Sequence, residues 1–282
     1  MFLEIFDVEQ GACALITTSN GKHVMIDCGH NSTTGWKPGV ELVARGIWTL
    51  DKLIVSNYDE DHASGFPDLN KLIRIDAIVR NTTVSPAGLR FLKSEDGMGT
   101  GIAHFVHALE HSFSNVGPFE GDFGDTFFAF FRNSPGVPPF GFDDENNLSL
   151  VTFVMCGAHC FIFPGDMEKE GWRALLQNPA FVAYLSRVTF FVASHHGRVN
   201  GYLKEVMNLC PNLRAVIISD KKIGYQSQET VDDYRQHTTG CVMADDTVRH
   251  VFTTRRDGYM RFEVPLGSNL AYIILEAAFA KV

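Results

Sequence analysis

Within the ten residues Ser56-Asn57-Tyr58-Asp59-Glu60-Asp61-His62-Ala63-Ser64-Gly65 the chain places three carboxylates and one imidazole. Asn57, Asp59 and Asp61 alternate with Tyr58 and Glu60, while Asp61 and His62 are adjacent and can approach one ion from two directions. A divalent metal needs such converging donors. The same residue types also build solvated turns and helix caps, so this stretch alone leaves both readings open.

Two further segments carry similar chemistry. Pro164-Gly165-Asp166 ends the apolar run His159-Cys160-Phe161-Ile162-Phe163, and Ser194-His195-His196-Gly197 ends Val188 to Ala193. The decapeptide itself follows Leu53-Ile54-Val55. Each apolar run reads as a buried strand, and the turns beyond strand ends are where sites collect in layered α/β folds. A histidine pair in isolation packs or caps as readily as it binds. Three strand ends supplying ligand-type residues are harder to ascribe to packing. His104, His107 and His111 also fall at helical spacing and can share a face, which packed or solvated histidines explain as well.

The elements that must position these groups follow the chain. Phe2 to Val8, Ala12 to Thr18 and His23 to Asp27 read as three strands joined by tight turns, the second turn being Ser19-Asn20-Gly21-Lys22, and so predict an antiparallel layer. Gly39 to Gly46 and Pro67 to Leu72 read as helices, and Ile75 to Arg80 as a strand. From Ser85 to Asp125 only Gly101 to Leu109 gives a helical pattern. Thr126 to Phe131 is an aromatic strand, and Asn133 to Phe142, with three Pro, a loop. The second half repeats the outline: strands at Leu148 to Met155 and His159 to Phe163, a helix from Glu168 to Leu176, strands at Val188 to Ala193 and Ala215 to Ser219, a helix near Thr230 to His237, and closing strands at His250 to Thr254, Tyr259 to Val264 and Ala271 to Leu275. Two sheets with helices outside them, a four-layer αββα sandwich, absorb this pattern in one domain over residues 1–282.

Composition bounds the rest. The 282 residues are 45% hydrophobic and 20% charged, with 23 Phe, enough for a large core rich in aromatic packing. No run of about 18 apolar residues predicts a membrane span, and Met1-Phe2-Leu3-Glu4 lacks the basic start of a signal peptide. Six scattered Cys inside apolar runs suit reduced core thiols. A cytoplasmic chain without membrane contact is the expectation. The formal charge of −9 repels nucleic acid at long range, so a polyanion must be met by a local basic patch, a bound metal or a partner. Lys221-Lys222 and Arg255-Arg256 are the small basic clusters.

In Asp7-Val8-Glu9-Gln10-Gly11, Met25-Ile26-Asp27-Cys28-Gly29, the Asn57-to-Gly65 turn, Asn146 to Val151, Phe163-Pro164-Gly165-Asp166 and Ser194-His195-His196-Gly197 the chain resembles the metallo-β-lactamase superfamily, specifically the soluble hydrolase domain of the competence-channel (ComEC) branch. These landmarks span about the first 200 residues in family order, and the tail with Thr253 to Gly258 also fits. The family pattern is His-x-His-x-Asp-His, the first two His holding one ion and the Asp-His pair the other. Here those first positions are Asn57 and Asp59. Glu145, Asn146 and Asn147 stand near the place of the third family His, and Tyr225-Gln226 near that of the last.

One pocket is therefore well supplied: Asp61, His62, Asp166 and either His195 or His196, with His195 assigned to the ion. Asp59, with Asn57 or Asn147, offers oxygen donors to a second ion. A set rich in oxygen and without Cys favours Mn²⁺, with Mg²⁺ or Zn²⁺ as alternatives, as one ion or two. The expected reaction is metal-assisted hydrolysis of a phosphodiester. In it Asp61 binds the ion and orients water, His196 protonates the leaving oxygen, and Arg198 or Lys221 holds the phosphate, with Asn147 beside the substrate. The resemblance implies a DNA strand as substrate. Defence against foreign DNA and a partner protein that gates activity are contexts for such a nuclease freed of its channel. A small-phosphoester (cyclic nucleotide) hydrolase and a catalytically degenerate binding module are the rival readings.

Overall fold

Alternating apolar side chains sort the chain into layers. In the strand Lys52–Ile54, Leu53 enters one core and Ile54 another. Phe161 and Phe190 join the second of these, while their neighbours Ile162 and Phe191 enter a third. Successive strand residues point to opposite faces, so a strand buried throughout must be covered on both. Leu150–Cys156, His159–Phe163 and Ala215–Ile218 are buried at every position.

The computed structural model describes residues 1–94, 97–114, 119–136, 141–221 and 230–276. One sheet has the order Tyr272–Leu275, Met260–Glu263, Phe2–Ile5, Ala14–Thr17, His23–Ile26, Lys52–Ile54, Ile78–Val79. It is antiparallel up to His23–Ile26, as the tight turns predict, and parallel beyond. The other runs Val251–Thr253, Ala215–Ile218, Phe190–Val192, His159–Phe163, Leu150–Cys156, Thr126–Arg132. Its first four strands are mutually parallel and the last two antiparallel. The core holding Ile5, Ile16, Ile26, Phe161, Phe190, Ile217 and Phe262 draws on both sheets and lies between them. Outside the first sheet lie Leu42, Phe66, Phe105 and Val106, on helices Pro38–Ala44, Phe66–Leu72 and Thr100–His111. Outside the second lie Trp172, Phe181 and Val206, on Lys169–Leu175, Pro179–Leu185 and Lys204–Asn208. This is the expected αββα sandwich.

The differences from the sequence pattern are local. Ile75 to Arg80 is not one strand: Arg74–Ile75 pairs with Thr49–Leu50, and Ile78–Val79 pairs with Lys52–Ile54, so the chain changes partners at Asp76. The mixed region after Ser85 holds two helices. Pro86–Leu92 begins with Pro and is capped by the Ser85 hydroxyl, which accepts from the Gly88 amide. Helix Thr100–His111 takes its cap from far away, the Gly101 and Ile102 amides donating to the Glu60 carboxylate at 2.7 and 3.0 Å. Glu60 thus fastens this helix to the central turn. Helix Pro179–Leu185 was not anticipated, although Asn178 before Pro179 is a readable start signal.

Candidate metal centre

The three chemistry-bearing strand ends meet. Asp61 and His62 lie in the short helix Glu60–Ala63 beyond Lys52–Ile54, Asp166 follows His159–Phe163, and His195 and His196 follow Phe190–Val192. One ligand atom each from Asp61, His62 and His196 lies within 4.8 Å of the other two. Asp166 joins them, with Oδ1 3.0 Å from His62 Nε2 and 3.5 Å from His196 Nε2. A cavity of about 30 Å³ adjoins His62, Asp166 and His196.

Local backbone geometry aims these groups. Two glycines clamp the strand end that carries Asp61: a Cβ on Gly29 would stand 2.4 Å from the Asp61 carbonyl oxygen, and one on Gly11 2.6 Å from it. The amides of Ala12 and Cys28 bond the carbonyls of Asp61 and His62. His195 and His196 are both left-handed, with φ of 49° and 53°. Two consecutive non-glycine residues in that region cost about 1–3 kcal/mol each and persist where surrounding structure imposes them. Here the His195 amide bonds the Gly165 carbonyl, and the Ser194 hydroxyl donates to the Met167 carbonyl at 2.5 Å.

Each inner histidine is held from behind. His62 is buried between two carboxylates, Nδ1 lying 2.9 Å from Asp27 Oδ2 and Nε2 facing Asp166. Asp27 also accepts from the Ser56 amide at 2.7 Å and its hydroxyl at 2.5 Å. His196 Nδ1 donates to the Ser219 carbonyl at 3.1 Å, which directs Nε2 toward Asp61 Oδ2, 3.3 Å away. Burial opposes charge on both imidazoles, but Asp166 with Asp27 holds the His62 pKa well above its ordinary value, and Asp166 with Asp61 raises that of His196. Conversely, burial works against the carboxylates, yet His196 and His62 hold Asp166 and Asp61 below the usual range.

This donor set fits a divalent cation. Two carboxylates and two imidazoles converge from three strand ends, and buried His196 Nε2 faces Asp61 and Asp166 oxygens at 3.3 and 3.5 Å without a well-formed hydrogen bond among the described residues. An ion would satisfy that atom. The outer partners Asp27 and the Ser219 carbonyl are what metal-binding histidines ordinarily have behind them.

His195 lies outside the cluster. Its Nε2 accepts from Arg198 Nη1 at 3.1 Å and is 3.9 Å from Asp166 Oδ2, while Nδ1 is 3.2 Å from Glu168 Oε1. Burial and the adjacent guanidinium lower its pKa. The geometry therefore groups His196, rather than His195, with the ligands, because the two left-handed residues turn the neighbouring rings to different partners.

Other expected site residues have different work. Asn57 is fully buried; its amide group donates to Asn146 Oδ1 and Ser149 Oγ, each at 3.1 Å, and its oxygen accepts from the Asp59 amide. Asp59 is bonded to the ammonium of Lys93, a residue sequence reasoning missed. Asn147 is consumed by Asp144 and the Gly171 amide, tying the Leu148 segment to helix Lys169–Leu175. Lys221 bonds Glu9 and Thr33 at the surface. Tyr225, Gln226 and Lys222 lie outside the described residues. A second cluster, His107, Glu110 and His111, lies at the surface, and Glu110 is already paired with Arg90 through two hydrogen bonds. No helix among the described residues is long and apolar enough to cross a membrane.

Comparison with known proteins adds to this geometry. The family model of the metallo-beta-lactamase superfamily matches residues 6–153. Over 195 residues the chain is 27% identical to the competence protein ComA of Neisseria gonorrhoeae, covering 68% of this chain and 23% of that protein. The chain thus spans under a quarter of that relative's length. Among solved structures, a diphosphatase of the PhnP family superposes with a TM-score of 0.50 at 12% identity, over 94% of this chain and 99% of the other. A mutant of the CmlA beta-hydroxylase gives 0.51 at 9% identity, over 93% and 54%. At these identities the structural likeness concerns the fold.

Proposed function

Since the chain belongs to the metallo-beta-lactamase superfamily, we propose that it is a metal-dependent phosphodiester hydrolase acting on DNA. The observation that carries this reading is the convergence of Asp61, His62, Asp166 and His196 from three strand ends on one point, with His196 Nε2 turned toward the Asp61 and Asp166 carboxylates there. Similarity to a competence protein, and the motifs that resemble that branch, support DNA as the substrate. Manganese suits a site in which half the donors are carboxylates and none is a thiolate.

A divalent ion held by these four residues supplies Lewis acidity toward water and toward the phosphoryl oxygens. The chain's own groups set the geometry. Asp27 and the Ser219 carbonyl accept hydrogen bonds from the Nδ1 atoms of His62 and His196, leaving each Nε2 for the ion. Arg198, half-buried beside the pocket, gives one N–H to His195 and keeps other donors for a phosphate oxygen. Glu168 accepts from Asn200 at 2.7 Å and faces His195 Nδ1, so His195 is held between Glu168 and Arg198 and orients that guanidinium.

One observation favours a smaller phosphodiester instead. The net charge is −9, and Lys93, Lys221 and Arg255 are all paired with carboxylates. Incubating the wild type and Asp61→Ala with Mn²⁺, Mg²⁺ or Zn²⁺ decides between them. Labelled single- and double-stranded DNA and bis(4-nitrophenyl) phosphate are the substrates. The proposal expects manganese-dependent DNA cleavage that falls more than about 100-fold in Asp61→Ala, beyond the loss that follows from removing an outer partner. Turnover of the small ester alone selects the second reading, and no turnover of either overturns both.

A further inference from the structure

We propose that the Lys93 ammonium takes the place of a second metal ion, so that the chain binds a single divalent cation beside a built-in one. Lys93 follows helix Pro86–Leu92 and turns inward, its side chain only 7% exposed. Its ammonium bonds the carboxylates of Asp59 and, at 2.6 Å, Glu145. Two acidic groups 86 positions apart therefore converge on one cation, in the arrangement that a metal would otherwise require of them. Burial opposes the charge on Lys93, yet these two carboxylates keep its pKa above the ordinary value.

This ion pair is joined to the metal ligands through the central turn and a short chain of hydrogen bonds. Asp59 is two residues before Asp61, and its backbone amide is held by the Asn57 side chain. Asn57 in turn donates to Ser149 Oγ, the same oxygen that accepts from the Asp166 amide at 3.1 Å. Carboxylates stand at both ends of this link, Asp59 with Glu145 at one and Asp61 with Asp166 at the other, and each partly buried pair needs positive charge beside it. The four-residue cluster offers one side to an ion, and Lys93 fills the other. The Asn57 side chain is already engaged within the protein, its amide group donating to Asn146 and Ser149 and its oxygen accepting from the Asp59 amide, so it serves to hold the turn. The first helical segment after the strand Ile78–Val79 thus contributes to the site through its terminal lysine.

The inference rests on the proposed metal site but not on any substrate, and metal stoichiometry tests it without turnover. Wild-type protein saturated with Mn²⁺ is measured by calorimetry and by elemental analysis after desalting, beside Lys93→Met, Lys93→Arg and the triple variant Lys93→Met/Asp59→Asn/Glu145→Gln. The expected result is one ion per chain in the wild type and in Lys93→Arg, two in Lys93→Met, and one again in the triple variant. Electron paramagnetic resonance should show an isolated manganese signal in the wild type and a spin-coupled pair in Lys93→Met. Two ions in the wild type overturn the inference whether or not the variants fold, as does a folded Lys93→Met that still binds one. A wild type that binds none overturns the metal site with it. One ion without DNA cleavage removes the nuclease reading and leaves this one standing.

Discussion

The Asp27 carboxylate lies 2.9 Å behind the imidazole of His62 and fixes which nitrogen faces the centre. The same carboxylate accepts the amide and hydroxyl of Ser56, so one buried side chain ties the strand His23–Ile26 to the start of the central turn. Asp27→Ala leaves all three donors without their acceptor. Loss of such an outer partner weakens metal binding by about 10–100-fold, and the stranded buried donors cost about 1–3 kcal/mol of stability. Calorimetric titration with Mn²⁺ and urea unfolding measure the two effects. An unchanged affinity would show that His62 does not depend on Asp27.

Asp27 also shows where sequence reasoning stopped. It was visible only as part of a resembling segment, because nothing in a strand-end Asp announces that a histidine 35 residues later rests on it. The layers were legible, since period-two alternation and buried apolar runs are properties of the chain itself. So were the three strand ends that form the cluster, because ligand types at turns are local signals. Which member of His195-His196 turns inward was not, for it depends on two left-handed residues imposed by tertiary contacts. Lys93 was equally hidden: its role exists only once the segment after Ser85, whose pattern was mixed, folds into a helix that delivers it to Asp59.

The Asp61 carbonyl is enclosed by glycine backbone, and that enclosure should be measurable. In Gly29→Ala the new methyl would meet Asp61 O at 2.4 Å and Ala12 O at 3.0 Å, both backbone atoms that no rotamer change can move. The turn bearing Asp61 and His62 must shift, costing about 1–3 kcal/mol and weakening Mn²⁺ binding as well. Gly46→Ala is the comparison: it has a φ of +73° but no atom within 4 Å of its would-be Cβ, so backbone strain lowers its melting temperature while affinity stays unchanged. Equal losses of affinity in both variants would refute a specific role for Gly29.

Away from the centre, acid should destabilise the fold through His159. Its ring is buried, Nε2 bonds the Asn269 carbonyl at 3.0 Å, and burial, reinforced by Arg214, lowers its pKa below the ordinary value. The unfolded chain therefore takes up a proton near pH 6.5 that the folded chain refuses, and stability falls as pH drops through that value toward the folded pKa. His23 shifts in the same direction, so the contribution of His159 is isolated by difference. Urea midpoints measured from pH 8 to 5 should fall more steeply for the wild type than for His159→Gln. Parallel curves would assign the acid limb elsewhere.

Adjacent histidines with opposite duties give the sharpest test of the centre. His196 donates through Nδ1 to Ser219 and presents Nε2 to Asp61 and Asp166, at 3.3 and 3.5 Å, whereas His195 spends Nε2 on Arg198 and turns Nδ1 toward Glu168. A ligand bound only by the folded state stabilises it by about 2.7 kcal/mol at a hundred times its dissociation constant, so saturating Mn²⁺ should raise the melting temperature of the wild type. His196→Ala should abolish that rise by removing a ligand. His195→Ala should keep it yet raise KM for a phosphodiester, because Arg198 loses the acceptor that orients it. The reverse pattern, with the rise lost in His195→Ala and kept in His196→Ala, would exchange the two roles and require the turn after Phe190–Val192 to rearrange when the ion binds.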